Sequence, residues 1–405
     1  MVAVPNVHTS VPPPAGERVP RAPEELTPAW LTACLRHAGA VTTSSVTGFD
    51  AEQIGIGRGF AGRIYRLRLR YDAVEPGAPA TMIGKFATVH DTTLAMMHDI
   101  GGYFREVRFY RELAGKAEIP MPRCYLAHYD LDARTFLLLL EDLAPSAAAD
   151  IAKGFTLEQA KLMLEHTARM HARYWDRTED IAWLAPSDEM VEFLRQRFLG
   201  ALDAFEAQFG ARFPPMVKVA RQMGWVFQGE EFKRELRGGP LTLTHGDLHV
   251  ENILFPTEAG GRLAVVDWQS AMLTRYGASD VTRIIAMGLS RDMRRAHEDE
   301  LLRHYHAVLC AHGVRGYTLR TLRARYRREM TPQVMVAVIA FASLDFGVDR
   351  GDLLTELFGA RLSDALVDLR VDRWLAWMIF WVRPVRPFYN LYLALARRLA
   401  RRLHS

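Results

Sequence analysis

The sequence predicts an α+β fold of two lobes, in which a small antiparallel sheet precedes a mainly helical region. Three observations favour this fold class. The chain has 405 residues, which is more than one hydrophobic core usually holds. Candidate strands are concentrated before residue 141, and apolar residues follow helical spacing from residue 156 onward. We therefore expect a flexible lead at 1–23, an N-terminal lobe at 24–141 and a helical C-terminal lobe at 142–405.

The N-terminal lobe is predicted to combine a sheet with helices. Residues 28–38 have helical spacing, and a second helix is predicted at 94–113. Runs of apolar and β-branched residues predict five strands, the last of them nearly all apolar and therefore buried on both faces. These strands are expected at 45–49, 64–71, 81–87, 123–129 and 135–140.

The C-terminal lobe is predicted to be helical except in one segment. Thr156 and Gln159 have the spacing of a capping box, so a helix is expected at 160–175. The exception is 241–266, where short strands are predicted around polar loops. These strands are expected at 241–244, 253–255 and 263–266.

Composition indicates a packed, globular protein. With 49% hydrophobic and 24% charged residues, the chain is too apolar for general disorder. Three widely spaced cysteines argue against a disulfide framework and suit a cytoplasmic location. The lead has no apolar run after a basic start, so no signal peptide is expected. The longest apolar stretch, 334–346, is interrupted by Asp345 and is shorter than the ~20 residues of a membrane span.

Positive charge is in slight excess, at a net +4, and part of the excess lies near the end of the sequence. A basic helix face there could contact an anionic membrane or a nucleic acid, but a solvated face is the interpretation we favour. We accordingly expect no nucleic-acid partner and no stable membrane insertion. The residues concerned are Arg397, Arg398, Arg401 and Arg402.

Residues 245–252 read His-Gly-Asp-Leu-His-Val-Glu-Asn, and Asp267 ends the next apolar strand. This order matches the pattern H-x-D-L-x-x-x-N followed by a metal-binding aspartate, which is typical of phosphoryl transfer. Such a reaction needs a carboxylate to deprotonate the attacking hydroxyl, and an amide oxygen and a second carboxylate to hold magnesium. Asp247 is predicted as the base, and Asn252 and Asp267 as the metal ligands. Capping of turns by Asp247 and Asn252 is the alternative, and the flanking strands count against it.

Upstream residues are candidates for binding a nucleotide. Gly57 and Gly59 lie in a glycine-rich turn between two predicted strands, where backbone amides could approach phosphates; a plain hairpin is the alternative. Lys85, in the third strand, could reach the phosphates, with Glu106 on the following helix as its ion-pair partner. A solvated lysine would be the usual interpretation of Lys85 alone. The order of glycine loop, lysine, helix glutamate and catalytic loop favours the nucleotide site.

Two further positions have less distinctive patterns. The backbone at Glu141 and Leu143, where the two lobes should meet, is the candidate for hydrogen bonding to adenine; an ordinary acidic turn explains the sequence equally well. His249 follows the predicted base by two residues, and it is a candidate either for contact with the γ-phosphate or for packing of the loop. His245 is expected to be structural, because the motif assigns the base role to Asp247.

Together these segments resemble the aminoglycoside phosphotransferase and choline kinase-like superfamily, especially its ecdysteroid kinase-like branch. Residues 104–113 are similar to that branch's helix around the lysine partner, and 265–269 to its metal-binding segment, where an aromatic residue and glutamine follow the aspartate. Gly277 and Asp280 match a later pattern in which the aspartate supports the catalytic loop. The resemblance spans about residues 50–290. It implies a bilobal protein-kinase-like fold, with ATP and Mg²⁺ as cofactors.

The function that the sequence predicts is transfer of the γ-phosphate of ATP to a hydroxyl of a small molecule. A catalytically inactive nucleotide-binding scaffold is an alternative, although the lysine, the base and both metal ligands occur together. A protein kinase is less favoured, because no A-P-E segment follows Asp267 and Gln269 replaces the glycine of D-F-G. The acceptor stays open: the helical region offers acidic residues, suited to cationic aminoglycosides, and aromatic ones, suited to sterol-like or macrolide acceptors. The choice between ATP and GTP and the oligomeric state stay open as well.

Overall fold

The computed structural model describes residues 18–55, 62–228, 239–343, 348–384 and 386–387. Strands within these ranges are β1 Val46–Ile54, β2 Gly62–Tyr71, β3 Thr81–Ala87, β4 Cys124–Asp130, β5 Thr135–Glu141, β6 Ser146–Ala148, β7 Leu241–Thr244, β8 Ile253–Pro256, β9 Ala264–Val265 and β10 Met272–Arg275. Helices within them are α1 Pro28–His37, α2 Asp91–Asp99, α3 Gly102–Glu112, α4 Leu157–Tyr174, α5 Asp188–Phe209, α6 Pro214–Phe227, α7 Ala278–Thr282, α8 Arg291–Ala311, α9 Leu319–Arg328, α10 Met330–Ser343, α11 Val348–Asp368 and α12 Val371–Val382.

The chain divides into two compact units. Unit 1 comprises Met1–Phe155, Glu165–Arg173 and Leu243–Met272, and unit 2 comprises Thr156–Leu164, Tyr174–Thr242 and Leu273–Ser405. The predicted catalytic loop thus belongs to the unit that holds the sheet. The lobe boundaries expected from the sequence stay a prediction.

A five-stranded antiparallel sheet forms the centre of unit 1, in the order β1-β2-β3-β5-β4. In β3, Lys85 lies between Ile64 of β2 and Leu138 of β5. Every residue of β5 except the last is buried, so this strand is covered on both faces, as its apolar sequence predicts. Because side chains of a strand alternate between faces, the neighbours of Lys85 in β3 face the opposite side of the sheet.

Helices cover the two faces of this sheet. On one face, a buried cluster joins Trp30 of α1 to Phe86 and Leu137. On the other face, Tyr103 of α3 stacks on Phe136, with ring centroids 4.4 Å apart. Burying a large apolar side chain contributes roughly 1.5–3 kcal/mol, so both helices hold the sheet firmly. The lysine that precedes Phe86 consequently projects toward α3.

The α+β fold class is confirmed, with an antiparallel sheet in the N-terminal region and a mainly helical remainder. All five predicted strands of the sheet are present, although β1 extends further than expected, to Ile54. The prediction of a single helix at 94–113 is wrong. The structure has two helices there, because Gly101 adopts a left-handed conformation (φ 66°) that ends α2 before α3 begins. The short strands β6 and β10 were not predicted.

Unit 2 is largely helical. The capping box predicted at the start of α4 is confirmed: Thr156 Oγ1 accepts from Gln159 N at 3.2 Å, and Gln159 Oε1 accepts from Thr156 N at 3.0 Å. Phe209 of α5 packs against Phe341 of α10, with ring centroids 5.6 Å apart. Within the described ranges, none of the helices combines the length and the apolar character that a membrane span requires.

An ion-pair network in unit 2 fixes the end of α11. Arg295 binds the Asp368 carboxylate through hydrogen bonds of 2.7 and 2.8 Å, and the buried Arg294 contacts the same carboxylate. Arg294 also binds Glu298 at 3.0 Å. The pKa of Asp368 is lowered from 3.8 to about 2, chiefly by the hydrogen bonds from Arg295 and to a smaller extent by the one from Arg294. This carboxylate therefore stabilises the fold only while it is ionised.

We expect Asp368→Asn to reduce the free energy of unfolding at neutral pH by on the order of 1 kcal/mol, because solvent screens these ion pairs. Since the folded-state pKa is lowered, the stabilisation is complete above the unfolded-state pKa and disappears as pH falls through about 2. Urea unfolding of wild type and variant between pH 7 and pH 3 measures the difference. Asp364→Asn, which removes a 3.4 Å contact with Arg291, is the matched control. A deficit of Asp368→Asn that does not shrink on acidification would contradict the prediction.

Candidate active site

The predicted catalytic loop follows β7 directly and includes a position that only glycine can occupy. Gly246 has φ 82°, and a Cβ there would lie 2.2 Å from the carbonyl oxygen of Ser270. His245 is fully buried: its Nδ1 accepts a hydrogen bond from Asp247 N at 3.2 Å, and its Nε2 lies 3.0 Å from the carbonyl oxygen of Val266. Because Nδ1 is an acceptor, Nε2 carries the proton and donates a hydrogen bond to this carbonyl oxygen. His245 thereby holds the loop against the segment after β9.

Asp247 and Asn252 are linked within this loop. The side-chain nitrogen of Asn252 donates to the main-chain oxygen of Asp247 at 2.9 Å, which leaves Oδ1 as the amide atom suited to bind a cation. The main-chain oxygen of Asn252 accepts from Val266 N at 3.0 Å. Val266 directly precedes Asp267. This hydrogen bond therefore holds the backbone segments that carry Asn252 and Asp267, the two predicted metal ligands, next to each other. The Asp247 side chain is 30% exposed, so a substrate hydroxyl could approach it.

His249 makes its contacts within the same loop. Its Nδ1 accepts from Glu251 N at 3.3 Å and so caps the short turn Val250–Asn252. Its Nε2 lies 3.6 Å from Asp247 Oδ2, which is too long for a hydrogen bond. The structure thus places His249 beside the predicted base, and its contact with a phosphate stays a prediction.

Asp267 has an uncommon backbone conformation. Its φ of 69° and ψ of 63° lie in the left-handed region, which costs a non-glycine residue roughly 1–2 kcal/mol. Gln269 Nε2 lies 3.4 Å from Asp267 Oδ2 and donates to it. Backbone outliers of this kind persist only where neighbouring structure holds them, and they cluster at functional sites.

Trp268 and helix α3 hold this turn. Trp268 is fully buried and stacks on Phe109 of α3, with ring centroids 3.9 Å and planes 8° apart. Its Nε1 donates to the main-chain oxygen of Val265 at 3.3 Å. Arg105, also on α3, donates from Nε to the main-chain oxygen of Gln269 at 3.2 Å. Helix α3 therefore fixes the two residues that follow Asp267.

Lys85 is the electrostatic centre of the site. Its Nζ lies 2.8 Å from each carboxylate oxygen of Glu106 and 2.8 Å from Asp267 Oδ1. The Lys85 side chain is 9% exposed and that of Glu106 only 1%. Burial alone would lower the pKa of Lys85, but attraction to Asp267 and Glu106 outweighs burial and raises it. Burial raises the pKa of Glu106 to about 7, although Lys85 opposes this change. One buried cation is thus shared by two carboxylates.

The residues predicted to bind adenine make contacts with other protein groups. Glu141 ends β5, where its carboxylate binds the Arg262 guanidinium and accepts from Arg123 N at 2.8 Å. Leu143 is buried, and its main-chain oxygen accepts from Ser146 N at 2.8 Å. The side chain of Glu141 is therefore committed to these contacts, so an adenine contact would fall to the backbone. That contact stays a prediction.

The donor set fits a magnesium ion that is bound together with phosphates. Across the part of the chain that the structure describes, no three histidine, cysteine, aspartate or glutamate side chains converge to hold a metal by themselves. Mg²⁺ is commonly held by one or two carboxylates, substrate phosphates and water. Asp267 offers a carboxylate, and Asn252 offers an amide oxygen. Gly57 and Gly59, predicted to approach the phosphates, lie outside the described residues.

Sequence reasoning did not identify the side chains that position Asp267. Arg105 and Phe109 lie on α3 beside Glu106, but Glu106 was the one residue of this helix to which a role was assigned from the sequence. The sequence signal that could have revealed them is an aromatic residue four positions after an arginine in an otherwise strongly charged helix. Asp280 is buried in unit 2, and its support of the catalytic loop stays a prediction.

Comparison with known proteins gives a curated relative and solved structures that carry kinase or phosphotransferase names. A curated relative is an uncharacterized kinase-like protein of Caenorhabditis elegans, 28% identical over 233 residues. The alignment covers 55% of this chain and 61% of that protein, so the chain spans about three fifths of the relative's length.

Solved structures with a similar chain trace are more distant in sequence. A choline kinase of Cryptosporidium parvum is 11% identical, with 81% of this chain and 93% of that chain covered and a TM-score of 0.47. An ethanolamine kinase of Plasmodium vivax is 11% identical, with 85% and 89% covered and a TM-score of 0.46. An aminoglycoside phosphotransferase of Streptomyces rimosus, solved with ADP and streptomycin, is 12% identical, with 70% and 92% covered and a TM-score of 0.41.

A family-level match covers most of the chain. Residues 56–314 match the ecdysteroid kinase-like family, and this region is well over half of the sequence. It includes Lys85 and Glu106, the catalytic loop and Asp267. The resemblance expected from the sequence is confirmed, and this chain belongs to the ecdysteroid kinase-like family.

Proposed function

We propose that this protein transfers the γ-phosphate of ATP to a hydroxyl group of a small molecule, in a reaction that requires Mg²⁺. The observation that carries the proposal is the triad of Lys85, Glu106 and Asp267, in which the lysine Nζ lies 2.8 Å from both carboxylates. Kinase-type sites for phosphoryl transfer use a lysine held by a helix glutamate, next to a metal-binding aspartate, around the nucleotide phosphates. An ion pair that only stabilised the fold would not require a third charged residue such as Asp267, which is held in a strained backbone conformation.

Lys85 would donate hydrogen bonds to phosphate oxygens of ATP. Asp267 and the Oδ1 atom of Asn252 would hold Mg²⁺, which when bound neutralises the charge of the phosphates and of the transition state. Backbone groups complete the proposed nucleotide site: amides of the glycine-rich turn for the phosphates, and main-chain atoms after β5 for adenine. The residues concerned are Gly57, Gly59, Glu141 and Leu143.

Asp247 would act as the general base. The acceptor O–H bond breaks and its proton passes to the Asp247 carboxylate, while the acceptor oxygen forms a bond to the γ-phosphorus. The bond from the γ-phosphorus to the oxygen that bridges it to the β-phosphorus breaks, and ADP leaves with that oxygen. His249, whose Nε2 lies 3.6 Å from Asp247 Oδ2, is the proposed neighbour of the γ-phosphate.

A cytoplasmic location is part of the same proposal. Cys34 and Cys124 are buried and Cys310 is partly exposed, and none of these three described cysteines is in a disulfide. A reducing compartment suits cysteines that form no disulfide, and it also supplies ATP.

The test is acceptor-dependent formation of ADP by the full chain. Purified protein with ATP and Mg²⁺ would be incubated with pools of hydroxylated small molecules, including cationic aminoglycosides, sterols and macrolides. We expect at least one pool to accelerate ADP formation, to yield a product heavier by one phosphoryl group, and to lose both effects on chelation of the metal. Asp247→Asn, purified in parallel, controls for contaminating kinases.

The alternatives give different results in the same experiment. An inactive nucleotide-binding scaffold would bind Mg²⁺-ATP in calorimetry but form no ADP with any pool. A protein kinase would phosphorylate peptide or protein pools and leave the small molecules unchanged. Either outcome would contradict the proposed function.

A further inference from the structure

Helix α12 in unit 2 exposes an aromatic face. Arg373, Trp377, Phe380 and Trp381 follow the spacing i, i+4, i+7 and i+8, so they lie on one side of the helix. Trp377, Phe380 and Trp381 are 63%, 69% and 59% exposed, respectively. The opposite side of α12 is buried through Val371 and Leu375. The helix is thus packed on one face and presents three large rings to solvent on the other.

The three rings form one contiguous patch. Trp381 contacts Phe380, with ring centroids 5.5 Å apart, and Trp377, with centroids 6.4 Å apart. The remaining tryptophan of the helix, Trp374, is only partly exposed, and the Arg328 guanidinium lies 5.4 Å from its ring centroid. Contiguous exposed patches of large apolar side chains are uncommon in proteins and mark interaction sites.

From Arg373 onward the sequence carries charge of one sign only. Residues 373–405 contain seven arginines and no acidic residue, whereas the whole chain has a net charge of +4. The 372 residues that precede this segment therefore carry a net charge of −3. Arg373 and Arg383 are exposed at opposite ends of the aromatic patch, about 15 Å apart along the helix axis at the usual rise per residue. Aromatic rings are thus bordered by arginines at both ends.

A cavity of about 520 Å³ opens beside the start of α12, next to Arg373. Three basic side chains line it, Lys218, Arg370 and Arg373, and its acidic residue is Asp372, which Lys218 binds at 2.7 Å. The other lining residues are prolines, valines and a leucine. A lining that combines basic and apolar side chains suits an anionic group attached to an apolar chain.

We propose that the α12 face is a docking surface for membranes that contain anionic phospholipids. Tryptophan and phenylalanine favour the boundary between headgroups and acyl chains, and arginine favours lipid phosphates. The protein would lie on the membrane without crossing it. From the sequence alone, a solvated face was the favoured interpretation of Arg397, Arg398, Arg401 and Arg402, which lie outside the described residues. The proposal rests instead on the exposed rings of α12 and on Arg373 and Arg383. Membrane binding is measured without ATP and is therefore independent of phosphotransfer.

Other occupants fit these observations less well. A second copy of the chain, related by a two-fold axis, would bring the same arginines together without a compensating acid from 373–405. A single-stranded nucleic acid would need flat, accessible ring faces on which bases stack. Here Trp381 meets Trp377 at an interplanar angle of 65° and Phe380 at 84°, so the rings pack edge to face.

The test is co-sedimentation of the full chain with vesicles of phosphatidylcholine alone or with added phosphatidylglycerol. We expect binding only to the anionic vesicles, and weaker binding at high salt. Arg373→Gln with Arg383→Gln should weaken binding about 25-fold, at about fivefold for each arginine. Trp377→Ser, Phe380→Ser and Trp381→Ser combined should weaken it on the order of tenfold or more. Circular dichroism would establish that both variants are folded.

Val74→Ser with Leu131→Ser is the matched control, because these residues are exposed apolar side chains of unit 1. It should bind vesicles as the wild type does. Equal binding to neutral vesicles, or full binding by the triple aromatic variant, would overturn the proposal. So would a dimer in sedimentation velocity that the triple variant dissociates, or aromatic-dependent binding of an oligonucleotide without vesicle binding.

Discussion

Replacing Asp247 with asparagine is expected to lower kcat by about 10²–10⁴-fold, because the amide cannot accept the proton of the attacking hydroxyl. The substitution keeps the size of the side chain. It also leaves the main-chain bonds of Asp247 to His245 and Asn252 intact. KM for ATP should change little, because Asp247 is proposed to contact the acceptor and not the nucleotide. Initial rates with the acceptor found by screening measure both constants.

Glu251→Gln is the matched control for this variant. It removes one negative charge from the same loop without touching the proposed base, so its kcat should stay within a few-fold of wild type. Urea unfolding should show that both variants are as stable as the wild type to within about 0.5 kcal/mol, as expected for a partly exposed side chain. A kcat of Asp247→Asn within tenfold of wild type would remove the general base from the proposed mechanism.

Lys85→Met is expected to abolish phosphotransfer and, separately, to destabilise the fold by about 3–5 kcal/mol at neutral pH. The methionine fills the space of the lysine stem but leaves Glu106 and Asp267 without their shared cation. Most of the loss of stability should come from Glu106, because its side chain is only 1% exposed and its charge would be left without a partner cation. Urea unfolding at fixed pH measures the loss of stability, and acceptor-dependent ADP formation measures the loss of activity.

The loss of stability should depend on pH. Burial already raises the pKa of Glu106 to about 7 in the presence of Lys85, and removal of the lysine should raise it further. A carboxyl group with a raised folded-state pKa contributes stability below its unfolded-state pKa and loses that contribution as pH rises through the folded-state value. The deficit of Lys85→Met relative to wild type should therefore be smaller at pH 6 than at pH 8.

A second substitution separates the two effects of Lys85→Met. Adding Glu106→Gln removes the buried charge and keeps an oxygen that can accept from Trp268 N, so most of the lost stability should return. Activity should not return, because no cation would then face the phosphates. A double variant as unstable as Lys85→Met, or a Lys85→Met protein as stable as wild type at pH 8, would show that the triad does not hold the fold together in this way.

Much of the candidate site could be predicted from the sequence, because its residues lie in short segments with characteristic spacing. The order of Lys85, Glu106 and Asp267 along the chain predicted one ion pair, and the structure has that pair together with a second one to Asp267. The second contact depends on the β-sheet register that turns Lys85 toward α3. Register arises from contacts between distant strands, so spacing within one strand could not reveal it.

The fold was predictable where local signals are strong. β5 has a continuous apolar sequence, and α4 has a capping box, and both occur where they were expected. The break between α2 and α3 was missed, because two adjacent glycines after Ile100 can either continue a helix or end it. The stacking of Trp268 on Phe109 was also missed, since it joins residues far apart in sequence. Tertiary packing decides both features.

The 2.8 Å contact between Lys85 and Asp267 has a thermodynamic consequence for ligands. A phosphate that draws Lys85 away leaves the Asp267 carboxylate uncompensated, and a divalent cation that draws Asp267 away leaves the lysine without one of its anions. When the phosphate and the cation bind together, Lys85 exchanges a carboxylate for a phosphate, and Asp267 exchanges the lysine for the cation. Nucleotide and cation should therefore bind cooperatively, and each should raise the affinity of the other by the same factor.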